Sequence, residues 1–281
     1  MATLAYRIVN VFTRGGRLTG NPLCVFEDAV GLDDAALQAL ARQFNLSETT
    51  FILPSRKASA RVRIFTPAYE MPFAGHPTLG TAHVVRALRG GGDSLSLELQ
   101  AGIIPVSASG DRWTLSANAA SWREVGESRA QLAEMLGLEA AYIADRPLWV
   151  NTGKEQLVVP LESAEAVRRA RPRIDVFFRL KSVDGHAMAY VFADAGDAGA
   201  TVVSRFFFPS GAAILEDPAT GSACANLGGW FCALRPGKDV ARTVLQGDEV
   251  ARPSTLHLVV KAGAVSVGGE VVELARGTLD L

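Results

Sequence analysis

The chain is poor in the residues that build metal centres, disulfide frameworks and thiol sites. Its 281 residues include three cysteines, Cys24, Cys224 and Cys232, and four histidines. So odd and sparse a set predicts reduced thiols in a cytoplasmic protein. MATLAYRIVNVF carries no basic stretch followed by an apolar one, so no signal peptide is expected. No apolar run approaches the ~18 residues of a membrane span, so no membrane partner is expected. HExxH, HxH and CxxC are missing, which argues against a metal site. Without GxSxG there is no nucleophile elbow, and without GxxxxGK[ST] or GxGxxG nucleotide cofactors lack support. DPATGS is not the DTG of an aspartic protease, because two residues separate acid from threonine. Neither sign of charge dominates: 28 basic and 29 acidic residues leave a net charge of −1, against a nucleic-acid partner. The basic cluster RRARPR, Arg168 to Arg173, reads as a solvated helix end.

What the chain does have is apolar mass and a repeat. It is 48% hydrophobic with a mean hydropathy of +0.17, enough for one large domain or two ordinary ones. RIFTPAYEMPFAGHPTLGTAHVV, from Arg63, is echoed by RFFFPSGAAILEDPATGSACANLGGW, from Arg205. Each copy opens with Arg and an apolar run and has a Pro four residues on, Pro67 or Pro209. An acid-bearing loop, a small-residue turn and a small apolar helix follow. The turn glycines Gly75 and Gly221 are 146 residues apart, which implies two similar halves.

Strand-like segments dominate between these marks: YRIVNVF, LCVFE, SETTFIL, ARVRIF, SLSLELQ, IIPVSAS and RWTLSAN, then PLWVNTG, QLVVPL, DVFFRL, AMAYVFAD, TLHLVVKAG and EVVELARGTL. AALQALARQF is helical, with an Asp before it as N-cap and Asn45 to end it. A second helix runs from Ser128 to Leu136 and stops at Gly137. The repeat helices, Pro77 to Leu88 and Ser222 to Leu234, are small and apolar nearly all round, the pattern of buried helices. Cys224 and Cys232 read as buried small side chains on one face of the latter. These elements predict an α+β chain of two domains, each a curved sheet wrapped around a central helix. Residues 1–118, completed by 267–281, form one, and residues 119–266 the other.

Pro77 suits the first helical position, where its missing N–H costs nothing. Gly75 and His76 then sit just before the helix, and Thr220, Gly221 and Ser222 offer the same situation in the second copy. Unpaired N–H groups at such termini attract a carboxylate or an enolate-like anion; the alternative is ordinary capping by Thr220 or Ser222. Glu48, at the head of SETTFIL, is either a solvated strand end or, if it points inward, a desolvated carboxylate able to take and return a proton. Asp217 precedes the second helix, with Glu216 beside it read as the exposed partner. His76 is a candidate functional residue, and His83 reads as packed.

SETTF, FAGHPTLGTA and EDPATGSA, with VNVF…GNPLCVF, NTGKEQLVVPL and QGDEVARPS, span the chain end to end and resemble the phenazine-biosynthesis isomerase (PhzF-like) family, which shares the diaminopimelate epimerase fold. The resemblance implies two pseudo-symmetric domains with the active site in the cleft between them. It also implies a homodimer, no metal or organic cofactor, and a small carboxylate-bearing substrate isomerised by proton movement. The phenazine enzyme acts on a dihydro-hydroxyanthranilic acid. By this resemblance Glu48 is the catalytic acid/base, His76 and Asp217 position substrate and assist, and Gly75, Gly221 and Ser222 bind it. The epimerase relatives use two opposed thiols, and neither turn here holds a cysteine. A racemase or epimerase of an amino-acid-like compound, or a binding protein that kept the site but lost turnover, remain the alternatives.

Overall fold

The computed structural model describes residues 3–144, 146–197 and 199–281. The first part of the chain forms β1 (Thr3–Val11), β2 (Asn21–Phe26), α1 (Asp34–Phe44), β3 (Glu48–Leu53), β4 (Ala60–Phe65), β5 (Glu70–Met71), α2 (Gly75–Leu88), β6 (Ser94–Leu99), β7 (Gly102–Ser109) and β8 (Arg112–Ser116). The second part forms β9 (Ser121–Glu124), α3 (Arg129–Leu136), β10 (Leu148–Asn151), β11 (Glu155–Pro160), α4 (Ala164–Arg169), α5 (Ile174–Phe177), β12 (Ala189–Asp194), β13 (Thr201–Ser210), β14 (Ala213–Asp217), α6 (Gly221–Leu234), β15 (Val240–Gln246), β16 (Ser254–Lys261) and β17 (Ala264–Asp280). The chain divides into two compact units. Residues up to Ser116 with Gly268–Leu281 make the first, and Ala117–Val267 the second.

In the first unit, β1 pairs with β2, β2 with β3 in parallel, β3 with β4, and β4 with β6 in parallel. Strands β6, β7 and β8 continue as a meander, β8 pairs with β17, and β17 returns to β1. The strands therefore close on themselves, which removes exposed edges. Inside runs α2, packed against β1, β2, β3, β6 and β8. It fits because its residues are small. A Cβ on Gly80 would lie 2.7 Å from Leu23 Cδ2 and 2.9 Å from Val11 Cγ2, so the helix backbone lies directly against the wall. Outside, Leu37, Leu40 and Ala41 of α1 cover Phe26, Phe51 and Phe65, and the Phe26 and Phe51 rings stack at 5.0 Å. As the sequence predicts, Asp33 caps α1 through Ala36 N–H, and Asn45 ends it in the left-handed conformation, φ 52°.

The second unit repeats the plan. Strands β9, β10, β11, β12 and β13 pair in turn, β13 pairs with β15 in parallel, and β15 with β16. Ala262 and Gly263, both with positive φ, turn β16 into β17. A bond from Ala117 N–H to Val265 C=O (2.9 Å) draws the segment before β9 onto β17. The helix α6 lies inside against β9, β10, β11, β15 and β16. Helices α3, α4 and α5 cover the outer face over Trp149, Leu157, Val159, Val191 and Phe207. Both expected features, an α+β chain and one apolar helix inside each sheet, are present.

The repeat has a structural purpose. Arg63 clamps Glu70 through two hydrogen bonds (2.7 and 2.6 Å) and lies 5.0 Å above the Phe65 ring. Arg205 clamps Glu216 (2.6 and 3.1 Å), lies 4.7 Å above Phe207, and donates to the carbonyls of Val167, Arg168 and Ala170 at the end of α4. Each Arg thus staples a hairpin just before the central helix.

Four sequence expectations need correction. Glu216 is not exposed: its side chain retains 7% of its accessible surface, because two N–H groups of Arg205 converge on its Oε2. DVFFRL holds a short helix, α5, because Val176 and Phe177 are consecutive and both buried, which a strand covering one face does not allow. Cys232 is half-buried, since eight residues leave it about 80° around the helix from buried Cys224. Pro77 is the third residue of α2, so Gly75 and His76 form its first turn.

Replacing Arg205 by Met strands a buried Glu216 carboxylate and frees three carbonyls. The expected cost is about 3–5 kcal/mol in denaturant unfolding. Glu216→Leu in the R205M background should recover part of it, whereas Arg276→Ala at an exposed pair should cost under about 1 kcal/mol.

Candidate active site

Glu48 heads β3, where the parallel register sets it beside Leu23 of β2. Side chains alternate along a strand, so Glu48 shares a face with Thr50. Thr50 points inward, its hydroxyl 2.8 Å from that of Thr81 on α2. Glu48 therefore projects toward the interior at the end of the ring where α2 begins. There its Oε2 approaches His76 Nε2 at 3.4 Å, with side-chain exposures of 15% and 7%. No hydrogen bond reaches that Oε2. Burial pushes the Glu48 carboxyl up from 4.5 to about 7, against a smaller downward pull from the Ser47 hydroxyl. Of the two readings open from the sequence, the desolvated carboxylate is the one present.

Neither central helix is capped by the side chain of its own N-cap residue. Ala74 has no group to offer α2, and Thr220, in the cap position of α6, turns its hydroxyl to Asp217 Oδ2 instead. Gln246 holds that arrangement. Its Nε2 donates to Asp217 C=O (2.8 Å) and Thr220 Oγ1 (3.0 Å), while its Oε1 accepts from Thr220 N–H (3.4 Å). Ser222 does not cap either; its Oγ accepts from Gln156 Nε2 at 3.1 Å. The ordinary-capping alternative thus fails at both candidate residues. First-turn N–H groups and the positive end of the helix dipole lie at Gly75 in one unit and at Gly221 in the other.

The copies align without a gap from Glu70 to His76 and from Glu216 to Ser222. Met71 stands where Asp217 stands, and His76 where Ser222 stands. Strand register extends the comparison. Phe51 pairs with Arg63, and Val191 with Arg205. Counting back three residues from each, Glu48 corresponds to Met188. The second unit therefore has no acid in the position that Glu48 fills in the first.

Of the sequence candidates, Glu48 and His76 meet in the first unit. Asp217, Gly221 and Ser222 stand at the start of α6 in the second, and Gly75 opens α2. Cys24 and Cys224 are buried, and burial pushes both thiols well above their ordinary value, so neither supplies a thiolate base. Sequence reasoning passed over Gln156, Asn226 and Gln246 as active-site supports. Asn226, fully buried in an otherwise apolar helix, was the available signal. Among the described residues no helix is long and apolar enough to cross a membrane.

A buried carboxylate near neutrality, beside an imidazole and an uncapped helix start, suits proton transfer next to an anion. Proteins of similar sequence are named isomerases. An uncharacterized isomerase of Pasteurella multocida is 37% identical over 279 residues, spanning 98% of this chain and 93% of the relative. The trans-2,3-dihydro-3-hydroxyanthranilate isomerase of Pseudomonas fluorescens is 35% identical, spanning 98% and 99%. The crystal structure of a Bacillus anthracis phenazine biosynthesis protein of the PhzF family superimposes with a TM-score of 0.87 over all of both chains, at 25% identity. Fold and relatives together define an isomerase with the diaminopimelate epimerase-like fold. With residues 9–277 matching the model of the phenazine biosynthesis-like proteins, the chain belongs to that family.

The Glu48 environment has a measurable consequence for stability. Its folded-state pKa is raised, so the neutral form favours folding. That contribution is complete below about 4.5 and is lost as pH rises through about 7. Glu48→Gln cannot ionise and should be the more stable protein above pH 7, by an amount on the order of 3 kcal/mol. The difference should vanish below about pH 4.5 in paired urea titrations.

Proposed function

We propose that the chain is a cofactor-independent isomerase that moves a proton on a small carboxylate-bearing substrate, with Glu48 as the acid/base. The observation that carries this reading is the Glu48 carboxylate, buried, poised near 7, with one oxygen lacking a hydrogen bond 3.4 Å from His76. Ionised Glu48 takes a proton from a carbon made acidic by an adjacent unsaturated or carboxylate-bearing group. The electron pair left behind is delocalised into that group. The resulting carboxylic acid returns the proton to a different carbon, so the substrate is isomerised and Glu48 is restored. No electrons leave the substrate, and the chain itself supplies the proton acceptor. A pKa near the working pH suits a group that must both accept and donate.

His76 is proposed as a positioning and assisting group for Glu48, and Asp217 as an assisting group in the second unit. Backbone N–H groups at Gly75 and Gly221, with the Ser222 hydroxyl, are proposed to hold oxygen atoms of the substrate. The name of the Pseudomonas fluorescens relative suggests trans-2,3-dihydro-3-hydroxyanthranilate as the first compound to test. Proton shuttling by two thiols receives no support, given the raised thiols of Cys24 and Cys224.

The test is turnover of trans-2,3-dihydro-3-hydroxyanthranilate followed by NMR in D₂O. Glu48→Gln should lower kcat ~10²–10⁴-fold. Because the base must be ionised, kcat/KM of the wild type should rise with pH and level off above about 7. Unchanged turnover in E48Q would remove Glu48 from the chemistry. Deuterium entering only at a stereocentre, with inversion and no movement of a double bond, would point to a racemase or epimerase instead.

A further inference from the structure

The side-chain amides behind the start of α6 form a chain whose hydrogen-bond direction is set at its far end. Thr152 N–H is a donor and cannot be otherwise, and it points at Asn226 Oδ1 (2.9 Å). The Thr152 hydroxyl donates to the same oxygen (2.8 Å). The other arm of Asn226 must then be its NH₂. It donates to the Lys154 carbonyl, an obligate acceptor (2.9 Å), and to Gln156 (2.7 Å). Gln156 therefore turns its Oε1 toward Asn226 and its NH₂ toward Ser222 Oγ (3.1 Å). Two backbone groups at one end thus fix both amide orientations and the role of the hydroxyl at the other. Asn226 is 0% and Gln156 2% exposed, so water does not compete for these bonds. Ser222 is only half-buried, and its hydroxyl proton has no acceptor among the described residues.

We propose that Gln156, oriented by Asn226, is a positioning residue that occupies one lone pair of the Ser222 hydroxyl and leaves its proton to be donated to the substrate. The consequence is selectivity. The group best matched to Ser222 is an acceptor, such as a carboxylate or carbonyl oxygen. An ammonium or amide N–H placed there could reach only the one remaining lone pair and would leave the Ser222 proton without an acceptor. Strand register supports a role particular to this unit. The glycines before β2 and β11, Gly20 and Gly153, put Leu23 of the first unit where Gln156 stands in the second. The amide chain thus belongs to the second copy alone and is not part of the duplicated scaffold. The selectivity claim rests on Ser222 contacting substrate, as proposed above; the polarity does not.

Glu at position 156 reverses the polarity with little change of shape. One carboxylate oxygen still accepts from Asn226, and the other now accepts the Ser222 proton. Gln156→Met removes the donor without capturing that proton. On trans-2,3-dihydro-3-hydroxyanthranilate, Q156E should raise KM about tenfold or more, as Ser222→Ala should. The Q156E/S222A double variant should be no worse than S222A, and Q156M should be several-fold milder than Q156E. A purely structural role would make Q156M as harmful as Q156E and the double variant additive, either of which overturns the proposal. If S222A raises KM while Q156E does not, this inference alone falls. If S222A leaves KM unchanged, the binding role of Ser222 falls and takes the selectivity claim with it. Neutron diffraction from the protein exchanged into D₂O reads polarity without any substrate. Gln156 deuterons directed at Ser222 Oγ, with the Ser222 deuteron directed away, are expected. A Ser222 deuteron bonded to Gln156 overturns the inference.

Discussion

The contact between a small-residue helix and the inner wall of its barrel determines where everything else in each unit lies. At Gly80 the α2 backbone comes so near Leu23 and Val11 that there is no room for a methyl group. At Gly229 the same holds for α6, where a Cβ would sit 2.6 Å from Val150 Cγ1. A helix held this closely cannot slide or rotate without a clash, because interiors pack like crystals rather than liquids. Its first turn is therefore fixed at one end of the barrel. The Arg63–Glu70 and Arg205–Glu216 staples fix the hairpins that lead into those turns. The uncapped helix starts and the side chains beside them inherit that rigidity.

One scaffold built twice then carries two different sets of polar side chains. In the first unit the residues at the helix start are His76 and, from β3, Glu48. Desolvation dominates there and lifts the carboxyl to about 7, a value suited to the proposed proton transfer. In the second unit Met188 takes the corresponding strand position, and the polar groups are organised for hydrogen bonding instead. Thr220 and Gln246 hold Asp217, while Asn226 and Gln156 hold Ser222. Fixed amides of this kind cost little when fully satisfied and a good deal when not. Such networks are therefore suited to holding a donor or acceptor in one state.

The sequence revealed the architecture because its signals were local and repeated. Gly75 and Gly221 marked equivalent turns, apolar periodicity marked buried helices, and Asp33 and Asn45 marked the ends of α1. It also brought Glu48, His76, Asp217 and Ser222 forward as candidates. What stayed hidden depended on partners far along the chain. Glu216 looked exposed because Arg205, which buries it, sits eleven residues away across a hairpin. DVFFRL looked like a strand because its packing against the outside of β10–β13 is invisible to a local pattern. The Gln156–Asn226 bond joins residues separated by 70 positions, and nothing near either one announces it. The raised pKa of Glu48 likewise needed knowledge of which way the strand faces.

The central claim is that one buried carboxylate both lifts the proton and sets it down. A substrate deuterated at the carbon that loses its proton tests this most directly. With 15% side-chain exposure, Glu48 is largely shielded from water. In ordinary water, the first turnovers on trans-2,3-dihydro-3-hydroxyanthranilate labelled in this way should give product carrying part of the deuterium at its new position. Product free of deuterium from the first turnover onward would contradict a single shielded base and require separate groups for removal and return.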